Sequence, residues 1–159
     1  MVSLEQRNIC IIGIGNEYRG DDAAGLLVAR KLTNKIAQHI TLIEMDGETT
    51  KLMDTMKGRY AAILVDAMQS GSKVGTVSRF DAGTQPLPMS LLRCSTHVAG
   101  VSSAIELARA LGWLPQYVVV YGIEANCFEP GSGLSPEVTT ALGEAVERIL
   151  DEIKTLLKS

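Results

Sequence analysis

The sequence lacks the features that would place the chain in a membrane, outside the cell or on a nucleic acid. No apolar run reaches the roughly 18 residues that a membrane-spanning helix needs. The net charge of −3 comes without a cluster of lysine and arginine, and phosphate binding requires such a cluster. The first residues have neither the basic start nor the apolar middle of a signal peptide. We therefore expect a cytoplasmic protein with no membrane or nucleic-acid partner.

Cysteine is scarce, and the three copies form no recognisable pair. Cys10, Cys94 and Cys127 are widely spaced, and no C-x-x-C occurs, which predicts reduced thiols rather than a disulfide framework. The motifs of two common hydrolase classes are absent as well. The chain has no G-x-S-x-G nucleophile elbow and no H-E-x-x-H zinc helix. If the protein is a hydrolase, a metal-assisted or carboxylate-assisted reaction is the chemistry that is left.

What the sequence does contain is typical of a globular α/β protein. The 159 residues are 46% apolar and 21% charged, which predicts a single domain over 1–159. Apolar runs and alternation predict strands, and apolar residues spaced three and four apart predict helices between them. Because the two types alternate along the chain, we expect a three-layer α/β/α sandwich around a mostly parallel, twisted sheet of about five strands. The predicted strands cover about 8–14, 39–45, 60–65, 74–80 and 117–123.

The most unusual stretch is a glycine-rich turn between the first strand and the first helix, GIGNEYRGDDAAG at 13–25. Glycine allows close backbone approach or a positive φ angle. Asp21 and Asp22 stand together where the predicted helix of 21–37 begins. One carboxylate is enough to cap a helix and to meet its dipole. We therefore expect the other to face a ligand.

Further acids follow the next two predicted strands. Asp46 ends the second, and Asp66 ends the third after an apolar run. Parallel strands gather their carboxyl ends at one edge of the sheet, where ligands of open α/β folds bind. His97, one of two histidines, closes the long loop 81–97 just before a helix and would join this edge. Carboxylates with an imidazole suit a divalent transition metal, although each aspartate alone is as often a turn former or a helix cap.

Four segments, in this order and spacing, resemble the hydrogenase maturation proteases, which trim the C-terminus of the large subunit of nickel-iron hydrogenases. They are the glycine-rich turn at 13–25, VDA at 65–67, STH at 95–97 and GIE at 122–124. The chain departs from the common family pattern at Ala23, where many members have glycine, and at Ala125, where many have proline. Neither change removes a proposed ligand.

The resemblance implies roles for individual residues. Asp22, Asp66 and His97 would contact nickel that is already bound in the hydrogenase large-subunit precursor. Nickel is then carried by the substrate, free nickel would bind only weakly, and the site would accept other divalent metals. Asp46 matches an aspartate implicated in cleavage, and it is our first choice for the base that activates water, with Glu17 second. We expect the free protein to be a monomer.

Two other functions compete with this interpretation. A nucleotide-binding oxidoreductase would use the glycine turn for a dinucleotide and Glu44 or Asp46 for the ribose. Tyr18 replaces its third glycine, however, and the aspartate pair occupies the helix start that a pyrophosphate would need. A non-catalytic nickel carrier or sensor would use the same three ligands without a hydrolytic base.

Overall fold

The computed structural model describes residue 3, residues 7–88 and residues 96–159 of the chain, and for 96–99 it describes the backbone alone. The strands are β1 (Ile9–Ile14), β2 (Thr41–Met45), β3 (Ala61–Met68), β4 (Val77–Asp81) and β5 (Tyr117–Glu124). The helices are α1 (Ala24–Leu32), α2 (Thr49–Met56), α3 (Thr96–Ala110) and α4 (Pro136–Lys158). A short 3₁₀ turn, Gly20–Ala23, precedes α1.

The five strands form one sheet in the order β2-β1-β3-β5-β4. All neighbours are parallel except β4, which runs antiparallel to β5 at one edge. This confirms the predicted fold class and the mostly parallel sheet. The prediction of a single domain over 1–159 stays a prediction. Across the described ranges, no helix combines the length and the apolar character that crossing a membrane would take.

The side chains of β1 show how the sheet is covered on both faces. Ile9 and Ile11 belong to a core with α1 and α4, whereas Cys10, Ile12 and Ile14 belong to a second core with α2 and α3. Side chains of a strand alternate between faces, so a strand covered on both sides is apolar throughout. The continuous apolar runs of β1, β3 and β5 follow from this position.

The third strand differs from the prediction, because it continues through Asp66 to Met68 instead of stopping before the acid. Its backbone keeps pairing with β5, and Asp66 lies opposite Gly122 in the register. The change from apolar residues to an aspartate indicates the end of a strand in the sequence. Backbone pairing does not depend on the side chain, however, so the strand continues through Asp66. Asp66 is therefore held inside a regular ladder, which fixes its position.

Two further local predictions need correction. The strand predicted over 74–80 begins later, at Val77; it is β4, which lies at the edge of the sheet and pairs with β5. The first helix was expected over 21–37, whereas α1 ends at Leu32. Neither aspartate of the pair caps a helix, since the N-cap residue of α1 is Ala23 and has no side-chain cap.

Candidate active site

The carboxyl ends of the first three strands meet at one edge of the sheet. In the register, Ile14 lies beside Met45, and Gly13 lies beside Val65. The N–H of Gly15 donates to the carbonyl oxygen of Met45 at 3.1 Å, which joins the end of β1 to the end of β2. Asp46 and Asp66, the residues that follow Met45 and Val65, therefore lie at the same edge, as the sequence predicted.

Glycines bring the first helix down onto this edge. A Cβ atom on Gly25 would lie 2.3 Å from the carbonyl oxygens of Ile14 and Val65, so only glycine allows α1 to begin there. A Cβ atom on Gly15 would lie 2.0 Å from the carbonyl oxygen of Asp22, and the N–H of Asn16 donates to that same oxygen at 3.2 Å. The glycine-rich turn therefore sets Asp22 against the ends of β1 and β3.

Asp22 and Asp66 are both buried, with 1% and 4% of their surface exposed. Asp66 points to the face covered by α2 and α3, because it alternates with Ala67 and shares a face with Met68. Beside it lies a cavity of about 20 Å³, enough for one water molecule, lined also by Val101 of α3. Two buried carboxylates at the edge where the strand ends meet supply oxygen ligands, which makes both residues candidates for binding a cation.

The start of α3 lies at the same edge. A Cβ atom on Gly100 would lie 2.4 Å from the carbonyl oxygen of Gly47, and the hydroxyl of Thr49 donates to the carbonyl oxygen of Gly100 at 3.4 Å. His97 lies one turn earlier, in the first turn of α3, so it is inside the helix and not before it. Its side chain falls outside the described part of the chain, and its role as a ligand stays a prediction.

Within the described residues, no three histidine, cysteine, aspartate or glutamate side chains are grouped closely enough to hold a metal ion. The predicted trio includes His97, whose side chain is outside that set. The donors that are described, the carboxylates of Asp22 and Asp66, are hard oxygen ligands. They fit a contribution to a metal centre whose other ligands come from elsewhere.

Asp46 is exposed at the end of β2, where two open grooves meet. One groove, of about 400 Å³, lies towards the glycine-rich turn and α1, and the other, of about 460 Å³, lies towards α2. The carboxylate of Asp46 accepts a hydrogen bond from the N–H of Glu48 at 3.1 Å, which orients it. An oriented, accessible carboxylate beside a groove is suited to bind and deprotonate water.

Glu17, the second candidate for the base, is held in an ion pair. Arg30 of α1 contacts Glu17 at 3.0 Å and Glu44 of β2 at 2.8 Å. The hydrogen bond from Arg30, with a further one from Tyr18, lowers the pKa of Glu17. A carboxylate engaged by Arg30 is less available to bind and deprotonate water, so Asp46 is the better candidate of the two.

Asp21 has a structural role that the sequence did not reveal. Its buried carboxylate accepts hydrogen bonds from the N–H groups of Asn126 (2.8 Å), Cys127 (3.1 Å) and Ser135 (2.7 Å), and from the Ser135 hydroxyl. Burial alone would raise the pKa of Asp21, but these hydrogen bonds outweigh it and lower the pKa. Ser135 is the N-cap residue of α4, yet its side chain binds Asp21 instead of the helix.

Glu124 has a similar role at the end of β5. Its carboxylate accepts hydrogen bonds from the N–H and hydroxyl of Ser70, both at 2.8 Å, and from the N–H of Gly71 at 3.0 Å. It thereby holds the turn that follows β3. Glu124, the last residue of the GIE segment, therefore fixes the backbone of this turn.

Sequence reasoning also missed Arg30, which joins the glycine-rich turn to β2. Its partners lie 13 and 14 residues away along the chain, so the contact cannot be predicted from the spacing of three or four residues that joins side chains within one helix. The only sequence signal was that Arg30 falls within the predicted first helix, and the structure places it in the last turn of α1.

Comparison with known proteins identifies a family for this chain. A family model described as hydrogenase maturation protease matches residues 26–152. The match includes Asp46, Asp66 and His97 and begins after Asp22. It covers well over half of the chain.

Individual relatives are similar over most of their length. The hydrogenase expression/formation protein HupD of Thiocapsa roseopersicina is 23% identical over 146 residues, which are 90% of this chain and 66% of that protein, just under two thirds. The hydrogenase 2 maturation protease of Escherichia coli is 23% identical over 148 residues, which are 92% of this chain and 90% of that one. The solved structure of the E. coli hydrogenase maturating endopeptidase HybD has a TM-score of 0.79 at 24% identity and covers 93% of both chains.

Proposed function

The chain belongs to the hydrogenase maturation protease family, and we propose that it removes the C-terminal extension of a nickel-iron hydrogenase large-subunit precursor. The observation that carries the proposal is the meeting of three acids at one end of the sheet. Asp22 and Asp66 are buried there, and Asp46 is exposed beside two grooves. This arrangement offers a cation-binding part and a water-activating part next to each other.

We assign recognition of the substrate to Asp22, Asp66 and His97. The nickel ion belongs to the precursor, and these side chains would complete its coordination when the two proteins meet. Three protein ligands leave positions for ligands from the precursor. A site of this kind binds free nickel weakly, because the precursor supplies the rest of the shell. Other divalent metals with similar ligand preferences would be accepted as well.

Asp46 is the proposed base. A water molecule that donates a hydrogen bond to its carboxylate would lose a proton to it while the oxygen attacks the scissile carbonyl carbon. The proton then passes to the departing amide nitrogen as the carbon–nitrogen bond breaks. Atoms and charges balance without an external co-reactant.

The direct test is incubation of the purified chain with a nickel-loaded large-subunit precursor encoded in the same genome. Mass spectrometry should show the loss of a C-terminal peptide, and precursor without nickel should stay at full length. The Asp66→Asn variant should leave the loaded precursor uncut. A precursor that is bound but never shortened by the unaltered chain would contradict the proposal and favour a carrier.

The setting of the protein is also part of the proposal. We place it in the cytoplasm, where Cys10, fully buried in the core, stays a thiol. Burial raises the pKa of the Cys10 thiol to about 11, so it is protonated and unreactive at neutral pH. The free protein is proposed to be a monomer that meets its precursor without nucleic acid or membrane.

A further inference from the structure

The outer edge of β2 is exposed beside the proposed site. Within the described part of the chain, β2 pairs only with β1, and each of its five residues is half-buried or exposed, whereas every residue of β1 and β3 is buried. An edge strand carries a row of backbone groups that a second extended chain can bind. This edge leads directly to Asp46.

The direction of these backbone groups follows from one hydrogen bond. The carbonyl oxygen of Met45 accepts from Gly15, so Met45 faces β1. The N–H and C=O of a strand residue point to the same side, and the next residue points to the other. Leu42 and Glu44 therefore direct their N–H and C=O groups outward. Among the described residues, none hydrogen-bonds to those outward groups.

The two grooves at Asp46 lie on opposite faces of this strand. The groove towards α1 includes Leu26 and Arg30, and the groove towards α2 includes Lys51 and Asp54. Side chains of an extended peptide alternate between faces with a period of two. A peptide paired with β2 would therefore place successive side chains in one groove and then the other.

We infer that the tail of the precursor binds as an added strand along the outer edge of β2, with its side chains alternating between the two grooves. This inference deepens the proposed function and rests on it. Backbone pairing would give affinity with little demand on sequence, as in other cases of strand addition. It would also carry the tail past Asp46, since the edge ends at that residue.

The charges of the edge argue against a second copy of this chain as the occupant. The grooves contain the carboxylates of Glu17, Glu44, Asp46 and Asp54, with only Arg30 and Lys51 as cations among the residues that line them. Pairing two such edges would bring like charges together, which is a common way to prevent self-association. A tail without a run of acidic residues meets no such repulsion.

Hydrogen exchange tests the inference directly. We expect the amides of Leu42 and Glu44 to exchange more slowly when nickel-loaded precursor is added to the Asp46→Asn protein. The same large subunit without its tail should give no such protection. The N–H of Met45, which faces β1, is the internal reference. Unchanged exchange at both outward amides with the complete precursor would overturn the inference.

A pair of variants at position 44 gives a kinetic test. Glu44→Ala and Glu44→Pro both remove the carboxylate that contacts Arg30, but only proline removes the outward N–H. Proline is tolerated on an edge strand at a position where the N–H of the replaced residue points to solvent. Compared with Glu44→Ala, Glu44→Pro should raise KM for the precursor about tenfold, the effect of one lost hydrogen bond.

The outcomes separate the two proposals. Equal KM values for the two folded variants, together with unprotected amides, would overturn strand addition while cleavage by the unaltered chain still supports the proposed function. Absence of cleavage by the unaltered chain would overturn the proposed function itself. Thermal unfolding of both variants establishes that they are folded.

Discussion

Asp21 and Asp22 are neighbours in the chain and both are buried, yet they lie in different surroundings. Asp21 collects four hydrogen bonds from the segment between β5 and α4, and Glu124 in the same way collects three from the turn after β3. Asp22 and Asp66 instead lie where the ends of β1 and β3 meet the first turn of α1. Burial alone therefore does not mark a functional acid.

The comparison teaches that the donors around a carboxylate indicate its role. A carboxylate surrounded by N–H groups of distant loops joins those loops, because the N–H groups would otherwise be buried without acceptors. Carboxylates placed by strand ends and by close glycine contacts are held by the backbone. These are the two carboxylates to which we assign a ligand-binding role. Substitutions of these carboxylates test the division between acids that join loops and acids that bind a ligand.

The largest effect is expected at Asp66. Asp66→Asn keeps the shape of the side chain but replaces an anionic ligand with a neutral one, and we expect no detectable trimming of nickel-loaded precursor. Loss of a residue that merely orients a ligand already costs about 10–100-fold, so loss of a ligand should cost more. Chemical denaturation of the variant establishes that it is folded under the assay conditions.

The matched control for this prediction is Asp21→Asn, which makes the same chemical change in a buried aspartate. It should still trim at a temperature where it is folded. Equal losses of activity in the two variants would contradict the distinction between a ligand-binding carboxylate, Asp66, and a structural one, Asp21.

Asp46 should show the next largest effect. Asp46→Asn removes the proposed base, and we expect kcat to fall about 100-fold in single-turnover cleavage. Binding of the precursor should be little changed, because the residues that we propose to contact nickel remain. Glu17→Gln is the comparison, and it should change kcat less than about threefold, since its carboxylate already serves Arg30. A larger effect of Glu17→Gln than of Asp46→Asn would reverse our choice of base.

Asp21 should matter chiefly for stability. Asp21→Ala leaves the N–H groups of Asn126, Cys127 and Ser135 without their acceptor. We expect the free energy of unfolding to fall by about 2 kcal/mol or more, the cost of unsatisfied buried donors. Chemical denaturation measures this loss. A change below about 0.5 kcal/mol would mean that water replaces the carboxylate without cost.

The fold could be predicted where the signal is local. The apolar runs of β1, β3 and β5 and the periodic apolar face of α4 lie within single segments, so composition and spacing reveal them. The partner of β4 could not be predicted in this way. Strand pairing joins residues that are far apart in sequence, and nothing in β4 itself specifies β5 as its neighbour.

The candidate site shows the same limit. The topology rule placed Asp46 and Asp66 at one edge, because strand direction alone decides which ends meet. The different surroundings of Asp21 and Asp22 could not be predicted from two adjacent aspartates in the sequence. The partners of Asp21 lie 105 to 114 residues away in the chain. Only the folded structure brings them together.

Glu152 of α4 sharpens the comparison, because it is a third structural carboxylate and lies away from the site residues. Arg79 contacts its two oxygens at 2.7 and 2.9 Å, and the hydroxyl of the buried Tyr121 donates to it at 2.6 Å. The hydrogen bonds from Arg79 lower the pKa of Glu152; burial opposes them, and the bond from Tyr121 adds to them. Its ionised form therefore stabilises the folded chain.

The sign of the pH dependence follows from this lowered pKa. The stabilisation is complete above the ordinary value of 4.5 and is lost as pH falls below it through the pKa of the folded state. Glu152→Gln should remove this part of the acid sensitivity and cost about 1 kcal/mol at neutral pH. Denaturation at pH 7 and pH 4 measures both quantities. Trimming should be unchanged, and an identical pH slope in the two proteins would show that Glu152 does not contribute through its charge.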